Sequence, residues 1–237
     1  MTVAAPEETT ALGQSRLLLM VWLSPMFPVG AFAYSHGLEQ VHADGHLRTA
    51  DALECWLRAM LEHGSLRNDL ILICLTQRAA ARSDAATVVA LGELAVALAT
   101  CSERRLETTG QGAAFLSAAL GAWGNAELRF WAEQLAAQPT ALPSAFAVAV
   151  AAHRIPLREA LEAYALAWLS NLVSATTRLG AIGQSDAQRT LAALLPRLPA
   201  AAQHALQAGE DDLGSCTLTA EIAAMRHESL YCRLFRS

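Results

Sequence analysis

The chain has 237 residues and a formal net charge of -5 from 17 basic and 22 acidic side chains, a balance that argues against nucleic-acid binding, which calls for a clustered basic face. All 17 basic residues are arginine, so a Walker A phosphate loop and a Schiff-base enzyme are both excluded, since each needs a lysine amine. Any nucleotide chemistry must therefore be carried by a partner. Hydrophobic residues reach 54% and charged residues only 16%, against a usual charged share of about 25%, and such a surplus of apolar surface points to a partner or self-association face.

Residues 1–14 are polar and acidic and are expected to form a disordered tail. Residues 15–237 form one domain, long enough to bury roughly 70–75% of its unfolded surface. Glu7 and Glu8 precede a single Arg16, and the apolar run Leu17–Ser24 is short, so no signal peptide is read. No apolar run approaches the roughly 20 residues of a membrane span. The expectation is a cytoplasmic protein with no membrane contact.

A helix through Leu17–Leu23 should stop at Leu23 or Ser24, because Pro25 and Pro28 push the residues before them out of the α region. The segment Ser24–Gln40, SPMFPVGAFAYSHGLEQ, is irregular and aromatic in a chain that is otherwise alanine- and leucine-rich. Gly30 supplies a positive φ or a close backbone approach. The residues alone admit two readings: a helix connection whose aromatics plug the core, or a functional segment.

Helix resumes around Ala33–His42 and turns at Asp44-Gly45. Asp51–His63 is amphipathic, with Leu53, Trp56, Leu57, Met60 and Leu61 on one face, Asp51 as its cap and Gly64 closing it. Leu66–Arg82 is apolar beyond strand length and reads as a buried helix. Ala85–Cys101 and Glu103–Ala122 follow, with Ser102 as N-cap between them. Glu127–Ala137, Pro143–His153, Leu157–Leu179 and Asp186–Leu195 come next. Pro196 to about Cys216 reads as a long loop, with Gln203–Gly209 a loose end, and Thr219–Leu230 is the last helix. No segment alternates with period two, so the fold class is all-α, a single-domain bundle of about 9–11 helices.

The five cysteines are widely spaced and lack a CxxC pair, so neither a disulfide framework nor a zinc ribbon is indicated; buried single thiols are expected for most. Three constellations remain. His36, Glu39 and His42 could supply ligands to a helical metal-dependent enzyme, although Asp44-Gly45 breaks the register before His46. Asn171, Ser174 and Arg178 make a polar stripe on an apolar helix, either satisfied internally or lining a wet passage or interface. The end, MRHESLYCRLFRS, interleaves Arg226, Arg233 and Arg236 with Tyr231, Leu234 and Phe235, a composition typical of protein–protein hot spots.

SPMFPVGAFAYSHGLE near the start, LVSATTRLGAIGQSDAQR in the later middle and MRHESLYCRLFRS at the end resemble the UreF family of urease accessory proteins, over about 210 residues. Cys232 and the Leu142-Pro143 start depart from the usual pattern. The resemblance implies a non-enzymatic helical adapter, a metalloenzyme-maturation chaperone without a cofactor of its own. It implies a homodimer that binds UreD (also called UreH), recruits the GTPase UreG, docks on apo-urease and supports GTP-dependent nickel delivery, with GTP on UreG and nickel in transit. By motif position, Pro28, Gly30, Tyr34, His36 and Glu39 would shape an N-terminal contact segment. Arg226, His227, Glu228, Tyr231, Arg233 and Arg236 would lie in a C-terminal docking tail, residues 226–237. His36, Asn171, Ser174 and Arg178 are candidates for a water-filled nickel route.

Overall fold

The computed structural model describes the backbone of residues 6–237 and the side chains from Gly13 onward. In chain order the helices are α1 (Pro6–Trp22), α2 (Leu38–Ala43), α3 (Ala50–His63), α4 (Ser65–Ala81), α5 (Ala85–Ala97), α6 (Ser102–Trp123), α7 (Ala126–Leu135), α8 (Leu142–Ala152), α9 (Leu157–Arg178), α10 (Gln184–Leu194), α11 (Leu198–Gln207) and α12 (Leu218–His227). Short 3₁₀ turns stand at Ala31–Ala33, Leu195–Arg197 and Glu210–Asp212. The described residues contain no strand, so the chain is all-α as expected.

The centre of the bundle is α8. Every residue from Pro143 to Ala152 is buried, and α8 packs against both α4 and α6. Its alanines and valines let those neighbours approach closely. On the α6 side the approach is tightest at Gly112, where a Cβ would overlap the carbonyl oxygen of Thr140. Helix α4 presents Leu66, Leu70, Ile71, Leu72 and Ile73 to its surroundings, all essentially fully buried. Burial on all sides explains why its sequence lacks a polar face. Each such leucine or isoleucine contributes about 1.5–3 kcal/mol relative to an exposed position.

Several local expectations are corrected. Of the tail expected to be disordered, residues 1–5 lie outside the described residues, while residues 6–14 belong to α1. Thr49, not Asp51, caps α3: its backbone is extended and its side chain accepts from the Ala52 N–H. Cys101 occupies the cap position of α6, and Ser102 is already helical. The stretch read as a loose end is helix α11, because Pro199 sits in its first turn, where a missing N–H is harmless, rather than ending a helix. Among the cysteines only Cys74 is buried; Cys55, Cys216 and Cys232 are exposed and all five are free thiols. Cys216 lies in the turn before α12 and Cys232 in the segment after it, where there is little core to bury them.

Among the described residues no helix is long and apolar enough to cross a membrane.

Candidate functional site

The irregular stretch after α1 is held by aromatics and by two glycines. Trp22 packs edge-on against Phe115 with ring centroids 5.6 Å apart, and Phe27 lies 5.4 Å from the same ring. Phe32 points out and is 67% exposed. Gly30 has φ 71° and nothing near its missing side chain, so its role is conformational. Gly37 has φ 78° and also meets α12: a Cβ there would stand 2.8 Å from the Ala224 nitrogen. Between them His36 adopts φ 54°, a left-handed conformation that a non-glycine residue takes only when its surroundings hold it there.

His36 turns its Nε2 to Glu107, 2.6 Å away, one of three carboxylates with low exposure in this region. Glu103, Glu107 and Gln111 extend the buried stripe of α6 that continues into Phe115 and Ala119. Glu39 reaches the same region from α2. Onto these carboxylates folds the segment after α12. His227, with no exposed surface, places Nε2 2.9 Å from Glu39 and Nδ1 2.7 Å from Glu103. Both acceptors are carboxylates, so a ring donating from both nitrogens satisfies both contacts. Glu39 also accepts the backbone N–H groups of Leu234 at 2.6 Å and Phe235 at 3.0 Å. Arg233 donates to Glu103 at 2.7 Å, and the Ser237 hydroxyl donates to Glu107 at 2.7 Å. The Ser35 N–H and hydroxyl both donate to the Ser237 carbonyl oxygen, and the Arg236 N–H donates to Ala33. Arg178 donates to Phe32 O and lies 4.5 Å over the Phe235 ring.

Charge balance within this cluster is uneven. Burial acts to raise Glu107, but Arg104 beside it, together with hydrogen bonds from His36 and Ser237, holds its carboxyl down at about 2. Burial and Arg104 lower His36 despite the opposing pull of Glu107. The imidazole is therefore neutral around pH 7, and Arg104 is the cation that keeps Glu107 ionised. Asp69 on α4 behaves oppositely: burial lifts it to about 6 even though Tyr164 donates to it at 2.9 Å.

The predicted contact residues thus differ in their surroundings. His36, Glu39 and His227 are interior groups that organise the tail. Arg226 pairs with Asp44 in a two-pronged ion pair, Glu228 accepts from the Ser102 N–H and hydroxyl at the start of α6, and Arg233 binds Glu103. Tyr34 is buried and Gly30 half-buried, while Pro28, Tyr231 and the Arg236 side chain face outward. Tyr231 is fully exposed and Leu234 is 62% exposed. On α12, Leu218, Ile222 and Met225, at i, i+4 and i+7, form an exposed apolar stripe.

The polar stripe of α9 is divided. Asn171 donates to Ala31 O at 3.0 Å, and together with Ser174 and His36 it lines a cleft of about 1030 Å³ between the segment after α1 and α9. Arg178 is not on that wall and serves the tail instead. His36 also lines a cavity of about 80 Å³ on its other side, with Asp69, Arg104 and Glu221.

His36, Glu39 and His42 do not assemble into one site. His36 turns to Glu107, Glu39 to His227 and His42 to the Leu47 carbonyl oxygen. Among the described residues no group of three or more His, Cys, Asp or Glu side chains is placed to hold a metal ion. Sequence reasoning missed Glu103, Glu107, Arg104, Asp69 and Tyr164. The available signal was the i, i+4, i+8 run Glu103, Glu107, Gln111 in register with Phe115.

The architecture defines an all-helical protein organised around the docking of its own terminal segment on buried carboxylates. A UreF family profile matches residues 47–195. A urease accessory protein UreF of Methylobacterium radiotolerans is 47% identical over 93% of this chain and 96% of its own length. Proteins of the same name from Methylorubrum populi and Rhodopseudomonas palustris are 46% and 44% identical, covering 93% and 100% of this chain and 98% and 99% of theirs. The chain belongs to the UreF family.

Proposed function

We propose that this chain is a urease accessory protein acting as a non-enzymatic adapter in the cytoplasm: with UreD/UreH it recruits the GTPase UreG and supports GTP-dependent delivery of nickel into apo-urease. The observation that carries this reading is the ordered tail, whose polar side is tied to Glu39, Glu103 and Glu107 while Tyr231 and Leu234 stay outside, as do Leu218, Ile222 and Met225 of α12. A rigid apolar edge made by aromatic and aliphatic side chains is suited to a protein partner. UreD/UreH is assigned to it. A second exposed apolar set, Leu17, Met20, Val21 and Leu166 at α1 and α9, is assigned to the homodimer. The missing lysines agree with GTP on UreG, whose hydrolysis we assign an arginine of the tail to modulate. Asn171, Ser174 and His36 on the wall of the large cleft are the nickel route.

The test is co-expression with UreD and UreG and size exclusion with mass detection, using the full chain beside one lacking Tyr231–Ser237 and beside Tyr231→Ala/Leu234→Ala. A ternary complex formed by the full chain and lost in both variants supports the adapter. Assembly unaffected by the double substitution overturns the assignment of the tail edge. Substitution of the α9 stripe should abolish urease activation while UreD and UreG binding survive; loss of binding would remove the route.

A further inference from the structure

The nickel-route reading leaves the chemistry of His36 unexplained, and the following rests on that reading. The His36 side chain is only 9% exposed, and its Nε2 lies 2.6 Å from Glu107 Oε1. An ionised carboxylate only accepts, so Nε2 carries the hydrogen. In the neutral ring, Nδ1 is then left with a lone pair. Among the described residues Nδ1 has no hydrogen-bond partner and is closed to solvent. Leaving a buried acceptor unpaired is costly. The residue also holds a left-handed φ of 54°, and its ring rests edge-on against Trp168 with centroids 4.6 Å apart. This strained, half-satisfied imidazole stands where the 1030 Å³ cleft and the 80 Å³ cavity share a wall.

A histidine whose far nitrogen is fixed by a carboxylate, with the near nitrogen bare, is the arrangement that prepares an imidazole to bind a metal. We infer that His36 is a gated ligand: its ring closes the junction between the two cavities, and Nδ1 takes up a divalent transition-metal cation passing between them, with Glu107 as the positioning carboxylate. Neutral imidazole suits nickel, zinc and copper. No group of three ligands surrounds it among the described residues, so water completes the coordination and the ion is held weakly. Weak, fast-exchanging attachment fits passage rather than storage. Because Nδ1 is closed in the resting state, uptake requires the ring to swing off Trp168, and this makes the same movement the opening of the junction.

The test is long-range ¹H–¹⁵N spectroscopy of the full chain labelled at histidine nitrogens, with His36→Gln assigning the signal among seven histidines. His36 should show the Nε2–H tautomer. Added Ni²⁺ should broaden the His36 resonances before those of exposed His63, and Zn²⁺ should shift Nδ1 while Nε2 keeps its hydrogen. Glu107→Gln should weaken the response by about tenfold, the usual effect of removing such a partner. Should His36→Gln fail to fold, Trp168→Leu, which frees the ring, should instead give a stronger response to Ni²⁺ than the unaltered chain. An Nδ1–H tautomer, or Ni²⁺ that broadens His63 and leaves His36 untouched, overturns the inference. Ser174→Phe on the cleft wall separates the two claims. If it blocks urease activation with the complex intact while His36 ignores metal, the route stands and the ligand falls. If His36 responds and neither variant alters activation, the ligand stands and the route falls.

Discussion

Glu39 and His227 are 188 positions apart in the chain and 2.9 Å apart in the fold, and between them they close the N-terminal segment onto the tail. The imidazole also bridges to Glu103, so removing it leaves two buried carboxylates without their shared partner. His227→Ala is expected to destabilise the protein by about 3–5 kcal/mol, the range for breaking one member of a buried ion pair. Urea unfolding measures the loss, and hydrogen exchange at Leu234 and Phe235, whose N–H groups Glu39 accepts, should accelerate further than exchange in α8. Equal acceleration everywhere would mean that the residue serves general stability rather than the tail.

The acidic cluster makes stability fall toward low pH. Glu107 is lowered from 4.5 to about 2. A depressed carboxyl contributes stability that is present above the unfolded value and lost as pH falls through the folded one. His36, also depressed, acts in the same sense below its ordinary 6.5. Against an Asp69→Asn background, which removes the opposing carboxyl, the urea midpoint should therefore drop from pH 7 to pH 4. In Glu107→Gln the portion of that slope below about 4.5 should disappear; an unchanged profile there would sink the assignment.

Asp69 should show the opposite sign. Its carboxyl is raised from 3.8 to about 6, so its contribution is present below 3.8 and lost as pH rises through 6. At pH 7.5 the half-buried group is ionised, which a neutral amide would avoid. Asp69→Asn is expected to be more stable than the unaltered chain at pH 7.5, by up to about 3 kcal/mol, with the advantage shrinking as pH falls toward 4. Thermal melts at pH 7.5 and 4.5 compare the two.

Two glycines with similar φ should respond differently to alanine. Gly30 at φ 71° has open space around it, and Gly30→Ala should cost only the left-handed penalty of about 1–2 kcal/mol. Gly37 at φ 78° faces the Ala224 backbone at 2.8 Å. Gly37→Ala must also push α12 away from α2, so it should cost clearly more and release the tail. Tail release is read by proteolysis at Arg233 and Arg236; similar proteolysis of the two variants would contradict the close-approach reading.

Arg178 and Phe235 form a cation–ring pair at 4.5 Å. A double-mutant cycle with Arg178→Ala and Phe235→Leu should return a coupling of about 0.5–2 kcal/mol. A coupling near zero would mean that Arg178 acts only through its bond to Phe32 O.

How much could be read without the fold follows from the range of the interactions. Helical periodicity and proline punctuation act within a few residues, so the all-α class, a helix break before Pro25 and the amphipathic α3 were legible. The absence of lysine, a matter of composition, excluded whole classes of chemistry. The three long motifs carried the family. Caps were misjudged at Asp51 and Ser102 by one or two positions, since neighbouring polar residues compete for the cap and local geometry decides. The stretch after Pro196 was read as a loop because a proline that starts a helix and one that ends it look alike in isolation. What tertiary structure alone decided is the pairing of groups far apart in the chain. His36 and Glu39, one turn apart in sequence, look like joint ligands, yet the left-handed backbone at His36 and Gly37 sends one to Glu107 and the other to His227. Glu103 and Glu107 look like solvated charges on an ordinary helix. They become a buried docking surface only because α12 and the residues after it return to cover them, a contact set by the packing of distant helices rather than by any local pattern.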